Sequence, residues 1–285
     1  MKQIGLVLSG GMAKGAYQIG ALRAISEYFA PSDFKYVSSA SIGALNAYAY
    51  LSKNLDKATE IWESVGADGN RTRITTMLRS SFIPSAINKL VCNRQIPNTF
   101  YVPLLDLSGR ELNYYNFAKL SPGEMKQYLR ASIALPLYNK GVSIGTKTLY
   151  DGAVIDNIPI YPVLRNPLDY CICIYFDDYN YIFEDDCLDN KIIKLTFPDN
   201  NIISNSIRVE HNSIKYMMEE GYRKAKEVLD YVFSEGITDS EKIYARVESM
   251  NAASSKKKLR ITGDVLVTNM NRITKKMVHA TAAIE

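Results

Sequence analysis

Residues 4–51 read IGLVLSGGMAKGAYQIGALRAISEYFAPSDFKYVSSASIGALNAYAYL, and this stretch decides the fold. Gln3 to Leu8 is an apolar strand that runs into the glycine turn Ser9-Gly10-Gly11-Met12-Ala13-Lys14-Gly15. After the turn Ile19, Leu22, Ile25 and Phe29 recur at the spacing of a helix with one face on a sheet. A second strand, Lys35 to Ser38, meets the turn Ala40-Ser41-Ile42-Gly43, and Ala44, Ala47, Tyr48 and Leu51 continue as a helix. Strand, turn and helix, twice over, is the grammar of a mostly parallel sheet. The expectation is an α/β fold, a three-layer α/β/α sandwich with a central, mostly parallel sheet.

Further strand-like segments follow at Phe100 to Leu107, Glu111 to Asn116, Thr146 to Tyr150, Tyr170 to Phe176 and Lys191 to Phe197. A helix is expected around Pro122 to Arg130 and a long one from Ser204 to Phe233. Residues 55–98 read as a helical cap in which Arg71, Arg73, Arg79, Lys89 and Arg94 are interleaved with Ile74, Met77, Leu78, Phe82, Ile83 and Ile87. Its charges either stand in water or touch anionic lipid. Asp177 to Asp189 resembles an acidic surface loop without the spacing of a calcium loop. Composition shifts after Gly236, and Ser254-Ser255-Lys256-Lys257-Lys258 reads as a solvated linker before the strand-like Leu259 to Thr268. The division expected is a catalytic domain, 1–236, and a small C-terminal appendage, 237–285.

The 285 residues are 47% hydrophobic and 22% charged, a globular balance that argues against disorder. A net charge of +4 suits an anionic surface but is too weak to indicate nucleic acid. Cys171 and Cys173 alternate within a strand-like run, so both point to one face as core residues rather than metal or redox groups. The first residues read as a strand and not a signal peptide, and no stretch approaches the roughly 18 apolar residues of a membrane-spanning helix. These features imply a cytoplasmic protein whose membrane contact, where it has any, is peripheral. Oligomeric state leaves no mark in the sequence.

Three elements carry chemistry. In Ser39-Ala40-Ser41-Ile42-Gly43 a serine sits at a sharp strand-to-helix turn between small residues, as an exposed nucleophile requires; a helix N-cap is the alternative. Gly10 and Gly11 lie between a strand and a helix, where bare amides face developing negative charge. Read instead as a nucleotide loop, the run lacks both the G-x-G-x-x-G spacing and a following Gly-Lys-Ser/Thr. Tyr150-Asp151-Gly152-Ala153 places an acid at a strand end, within reach of a nucleophile on another strand; a turn-forming Asp-Gly is the alternative.

In this order the elements resemble the patatin-like phospholipases, which pair a glycine-rich oxyanion turn, a G-x-S-x-G elbow and a D-G-[GA] aspartate without a catalytic histidine. Leu8 to Tyr17 is similar to the first block of that family and Ser41 to Ala47 to its second. Ala131-Ser132-Ile133-Ala134-Leu135-Pro136 resembles a connecting block, and Asp151-Gly152-Ala153 with Asn157 and Pro159 the last. The likeness spans Ile4 to Pro162 and, more faintly, the helix near Gly221.

The resemblance implies a lipid acyl hydrolase of the phospholipase A or lysophospholipase type, a serine-dependent carboxylic ester hydrolase with a Ser-Asp dyad. Ser41 would attack the ester, Asp151 would take its proton, and the amides of Gly10, Gly11 and Met12 would form the oxyanion hole. Lys14, Gly15, Gly43, Gly152 and Asn157 would support these groups. Neither a metal nor an organic cofactor is implied, and the partner is a phospholipid or other acyl ester.

Two departures stand out. Met12 occupies the place of a third glycine, and Ser39 that of the first glycine of the elbow. Met12 keeps its N–H but sets a side chain beside the acyl site; Ser39 is small enough for close helix approach, with strain expected. They keep open a catalytically impaired binding protein on the same fold, and a nucleotide-binding α/β protein is the third class. Of the two histidines, His211 lies in a helical run and His279 in the appendage, so neither is placed for a triad.

Overall fold

The strand β1 (Ile4–Leu8) is buried at every residue because it is paired in parallel on both edges, with β2 (Phe34–Ser39) and with β8 (Tyr170–Tyr175). A strand covered on both faces needs no polar alternation, which is why it reads as an unbroken apolar run. The computed structural model that shows this describes residues 2–67, 72–73, 80–96, 99–136, 138–197, 208–209 and 211–263. Outward from β1, β8 pairs in parallel with β10 (Ile192–Thr196) and β2 with β4 (Thr99–Asp106). Beyond β4 the sheet turns antiparallel, through β5 (Glu111–Asn116), β6 (Val142–Ile144) and β7 (Lys147–Asp151). The order is β10-β8-β1-β2-β4-β7-β6, with β5 on the other edge of β4.

The register on β4 positions the site. Tyr101 pairs with Ser38 of β2 on one side and Asn116 of β5 on the other, whereas Leu104 pairs with Asp151 of β7 and Asn113 of β5. Hence β7 takes up the same edge of β4 that β2 leaves, and its last residue, Asp151, arrives beside the point where β2 turns off into a helix.

Helices cover both faces. On one lie α1 (Gly15–Ile25), α2 (Ile42–Leu51), α3 (Leu55–Glu63), α4 (Phe82–Leu90), α5 (Pro122–Ala131) and the long helix α8, His211–Val232, all contributing to the main core. α1 and α8 touch backbone to backbone: a Cβ on Gly20 would stand 1.9 Å from the Met218 oxygen, and one on Gly221 2.2 Å from the Tyr17 oxygen. On the other face Val7, Cys171, Cys173 and Ile192 pack with Ile160 and Val163 at the short helix α6, Tyr161–Leu164. Both cysteines are free and fully buried, and burial pushes their thiols up, as core residues require.

Three expectations need correction. The acidic stretch is not a loop: β9 (Tyr179–Phe183) pairs in parallel with β12 (Lys257–Ile261), and the short helix α7, Asp186–Asp189, follows. Tyr181 and Phe183 are buried against Tyr175, and Asp189 is spent inside on Lys194 at 2.6 Å. The lysine run is not all linker, since Lys257 and Lys258 belong to β12. The long helix starts later than its periodicity suggests, because Arg208–Val209 forms a strand, β11, paired with β3 (Thr72–Arg73). After Gly236, α9 (Ser240–Ala253) buries Ile243 and Val247 in the main core; residues 264–285 lie outside the described residues.

Candidate active site

The turn that carries Ser41 is made by a chain that reverses within a few residues. Ala40 N–H donates to the Leu8 oxygen at 3.0 Å and Gly43 N–H to the Ala40 oxygen at 2.9 Å, pinning the turn to the end of β1. A Cβ on Gly43 would lie 2.6 Å from the Ser9 oxygen, so only glycine lets α2 start here. Ser41 takes the strain, with φ 53° and ψ −130°, a backbone region that belongs almost wholly to glycine. The residue is only 8% exposed.

Asp151 is fully buried. Its N–H donates to the Ala134 oxygen at 2.9 Å and its Oδ1 accepts from Ala153 N–H at 2.9 Å. Oδ2 has no hydrogen-bond partner of ordinary geometry among the described residues. The Ser41 hydroxyl lies near enough to pull the pKa of this carboxyl down, yet burial dominates and pushes it up to about 7.

Gly10 stands where the blocks meet. A Cβ there would be 2.4 Å from Asn157 Oδ1, 3.0 Å from Ser41 Cβ and 3.3 Å from Ala153 Cβ. Its N–H is already given to the Asn157 oxygen at 3.0 Å. Among the described residues no hydrogen bond takes up the N–H of Gly11 or Met12. Met12 opens a single 3-10 turn, Met12–Lys14, with φ 50°, and its side chain is 41% exposed. Lys14 is half-buried in the same turn, Gly15 begins α1, and a Cβ on Gly152 would lie 2.5 Å from the Pro103 backbone. The other departure, Ser39, is ordinary strand with no positive φ; its disadvantage is a buried hydroxyl without a partner.

A buried network that the sequence pattern does not announce holds the glycine turn. Asn46 of α2 donates through Nδ2 to the Gly15 oxygen at 2.9 Å and to Gln18 Oε1 at 2.8 Å, and accepts from Trp62 Nε1 at 3.1 Å. Gln18 Nε2 in turn donates to the Ser9 oxygen at 2.7 Å. Both ends of the turn are thereby tied to α2, the helix that starts after Ser41. The available signal was polar Gln18 and Asn46 inside otherwise apolar helices, and the lone tryptophan. Asp156 also escapes a reading of the sequence; it is buried, pushed up to about 6 by that burial, and accepts from the Tyr114 hydroxyl at 2.5 Å.

Of the basic segment, Arg71 and Arg79 lie outside the described residues, Lys89 is exposed on α4, and Arg94 is turned back onto the Ser52 oxygen at 2.6 Å. No hydrogen bond among the described residues joins His211 to Ser41 or Asp151, and His279 lies outside them. Beside the elbow, Ile42, Leu45, Ala58, Trp62, Phe82 and Ile83 line a small apolar cavity of about 30 Å³. No described helix is long and apolar enough to cross a membrane.

The molecule is a mostly parallel α/β sandwich in which a serine in a strained strand-to-helix turn stands near a buried carboxyl. The model of the patatin-like phospholipase family matches residues 6–164, and the chain belongs to that family. Over 175 residues it is 29% identical to Lysophospholipase NTE1 of Cryptococcus neoformans, a match covering 58% of this chain and 10% of that protein. It is 27% identical to mouse Patatin-like phospholipase domain-containing protein 7 over 171 residues, 55% of this chain and 12% of the other. The match thus spans about a tenth of the length of these curated relatives. The crystal structure of VipD from Legionella pneumophila superposes with a TM-score of 0.52 at 12% identity, covering 89% of this chain and 75% of that one, a likeness of fold.

Proposed function

We propose that the chain is a lipid acyl hydrolase of the phospholipase A or lysophospholipase type, using Ser41 and Asp151 as a dyad. The observation that carries this is the pairing of a serine at φ 53° with a fully buried carboxyl whose Oδ2 lacks a partner. Ser41 Oγ attacks the ester carbonyl as Asp151 takes its proton, and the proton then passes to the departing alcohol. Water, activated by the same carboxylate, releases the acyl group and restores the serine. A base near pH 7 suits both half-reactions, since it is ionised enough to accept and acidic enough to return the proton. We assign the oxyanion to the N–H groups of Gly11 and Met12, and give Gly10 the role of a spacer, because its N–H already serves Asn157.

The cavity behind Ile42 is apolar and would take the start of the acyl chain. We keep 1–236 as the catalytic unit and 237–285 as the appendage. Peripheral contact with anionic lipid through residues 71–94, in a cytoplasmic setting, also belongs to this proposal. The test is fatty-acid release from lysophospholipids, diacyl phospholipids and short acyl esters, together with labelling by a fluorophosphonate. Wild type should react and Ser41→Ala should not; a folded wild type that neither labels nor releases fatty acid removes the enzyme reading and leaves a binding protein on this fold.

A further inference from the structure

A second cavity, of about 260 Å³, has none of the residues of the proposed ester site in its wall. It opens where residues 237–263 meet the carboxyl ends of β8 and β10, the end of an α/β sheet at which ligands usually sit. Three lysines line it: Lys194 from β10, Lys224 from α8 and Lys256 from the run before β12. Their situations differ. Lys194, with a side chain only 6% exposed, is neutralised by Asp189 at 2.6 Å and also donates to Asn180 and Asn251. Lys224 is a third exposed and pairs with Glu220 at 3.3 Å. Lys256 donates only to neutral oxygens, the Asp177 carbonyl at 3.0 Å and Thr196 Oγ1 at 2.9 Å, and makes no ion pair among the described residues.

The direct contacts of this half-buried ammonium are all dipoles; burial lowers the pKa of Lys256 and outweighs the attraction of the Asp178 and Asp177 carboxylates, so its charge is only partly compensated. The groups around it are donors as well. Thr196 Oγ1 accepts from Lys256 and so has its own proton to give, and Ser254 Oγ accepts from Lys256 N–H in the same way. Glu227, the one carboxylate in the wall, is 73% exposed and turned to Arg223 at 3.5 Å.

We propose that this cavity binds a phosphate group, with Lys256 as its principal ligand, Lys224 as the second cation, and the hydroxyls of Thr196 and Ser254 as neutral donors. Two ammonium groups and two hydroxyls supply more donors than a carboxylate uses and match the terminal oxygens of a phosphate monoester. The phosphate arrives either on a free small molecule or as the headgroup of an anionic lipid; the chemistry of the site is the same. Nothing in the proposal depends on Ser41 or Asp151, so its test reads binding alone.

The experiment is calorimetric titration of the full chain with inorganic phosphate and with glycerol 3-phosphate, beside co-sedimentation with phosphatidylcholine vesicles with and without phosphatidic acid. Wild type should bind, more weakly as salt rises. Lys256→Gln should weaken binding by about tenfold or more, as loss of a charge-assisted contact does, Lys224→Gln by less, and Lys57→Gln, exposed on α3, not at all. Lys256→Arg should keep most of the affinity, and circular dichroism checks each fold; if Lys256→Gln does not fold, Lys256→Arg and Lys224→Gln carry the comparison. Binding of the soluble phosphates identifies a free ligand, and binding only to phosphatidic acid vesicles, lost in the same variants, identifies a headgroup. The proposal is overturned if wild type binds none of these probes, if the lysine variants bind like wild type, or if acetate competes as well as phosphate.

Discussion

Replacing Asp151 by asparagine should abolish the proposed ester hydrolysis and stabilise the protein, and the second effect is the sharper test. Asp151 is fully buried, and burial raises its carboxyl from 3.8 to about 7 in the folded chain. The folded state therefore holds its proton over a range of pH where the unfolded chain has released it. Stability from a raised carboxyl is fully present below the unfolded value and is lost as pH rises through the folded one. Across pH 4 to 7 wild type should lose on the order of 4 kcal/mol from this one group, because each tenfold change in acidity is worth about 1.4 kcal/mol. Asparagine keeps the shape and the Oδ1 acceptor for Ala153 N–H but has no charge to desolvate. Urea unfolding of Asp151→Asn and wild type, followed by circular dichroism, should thus coincide near pH 4 and diverge by a few kcal/mol at pH 8, the variant being the more stable. In melting temperature the gap at pH 8 is on the order of 5 to 10 °C for a domain of this size. Equal stabilities at pH 8, or a gap that does not grow with pH, would refute the claim that Asp151 is a desolvated carboxylate held for chemistry.

The same carboxyl should give kcat/KM a rising limb with an apparent pKa near 7, and Asp151→Asn should lower turnover by about 10² to 10⁴. Ser41→Ala combined with Asp151→Asn should be no worse than either alone, because the two act as a unit, whereas His211→Ala and His279→Ala should stay within a few fold of wild type; a histidine variant as inactive as Ser41→Ala means a triad. Asn46→Ala strips partners from Gln18, Trp62 and the Gly15 oxygen, so it should cost about 1 to 3 kcal/mol and reduce kcat more than it raises KM; unchanged kcat would make the network purely structural. Gly20→Ala forces a Cβ to within 1.9 Å of the Met218 oxygen and should destabilise by about 2 kcal/mol or more, read by urea midpoint.

The parallel half of the sheet was legible because β1 and β8 are unbroken apolar runs, and the glycine turn lies at the end of β1 and the Ser41 turn at the end of β2. β9 was not legible: its flanking acids suggested solvent, and only pairing with β12, far off in the chain, makes a strand of it. The meeting of Gly10, Ser41 and Asn157 was implied by the order of the blocks, but the fate of each N–H was not, since a backbone donor carries no sequence signal. Gly10, read from the sequence as an oxyanion donor, gives its N–H to the Asn157 oxygen, a bond that no motif announces. Gln18, Asn46 and Trp62 escaped for a related reason: helical periodicity marks a polar residue on an apolar face as an anomaly without saying what it binds.

The two departures from the family pattern differ in kind once their backbones are known. Ser39 sits in ordinary strand geometry, so its side chain costs no conformational strain and only buries a hydroxyl. Met12 does take the glycine-like conformation, at φ 50°, and bears the strain that a third glycine would avoid, about 1 kcal/mol or more for a non-glycine residue. Met12 is 41% exposed, and no hydrogen bond among the described residues takes up its N–H. Met12→Gly should therefore relieve strain without opening a new cavity, and its effect should fall on bulky acyl groups that brush the rim. With a series of esters of rising acyl size, kcat/KM of Met12→Gly should gain on wild type as the acyl group grows and match it for acetate. A uniform loss across the series would mean instead that the methionine holds the turn in place, and that the left-handed backbone at this position depends on its side chain.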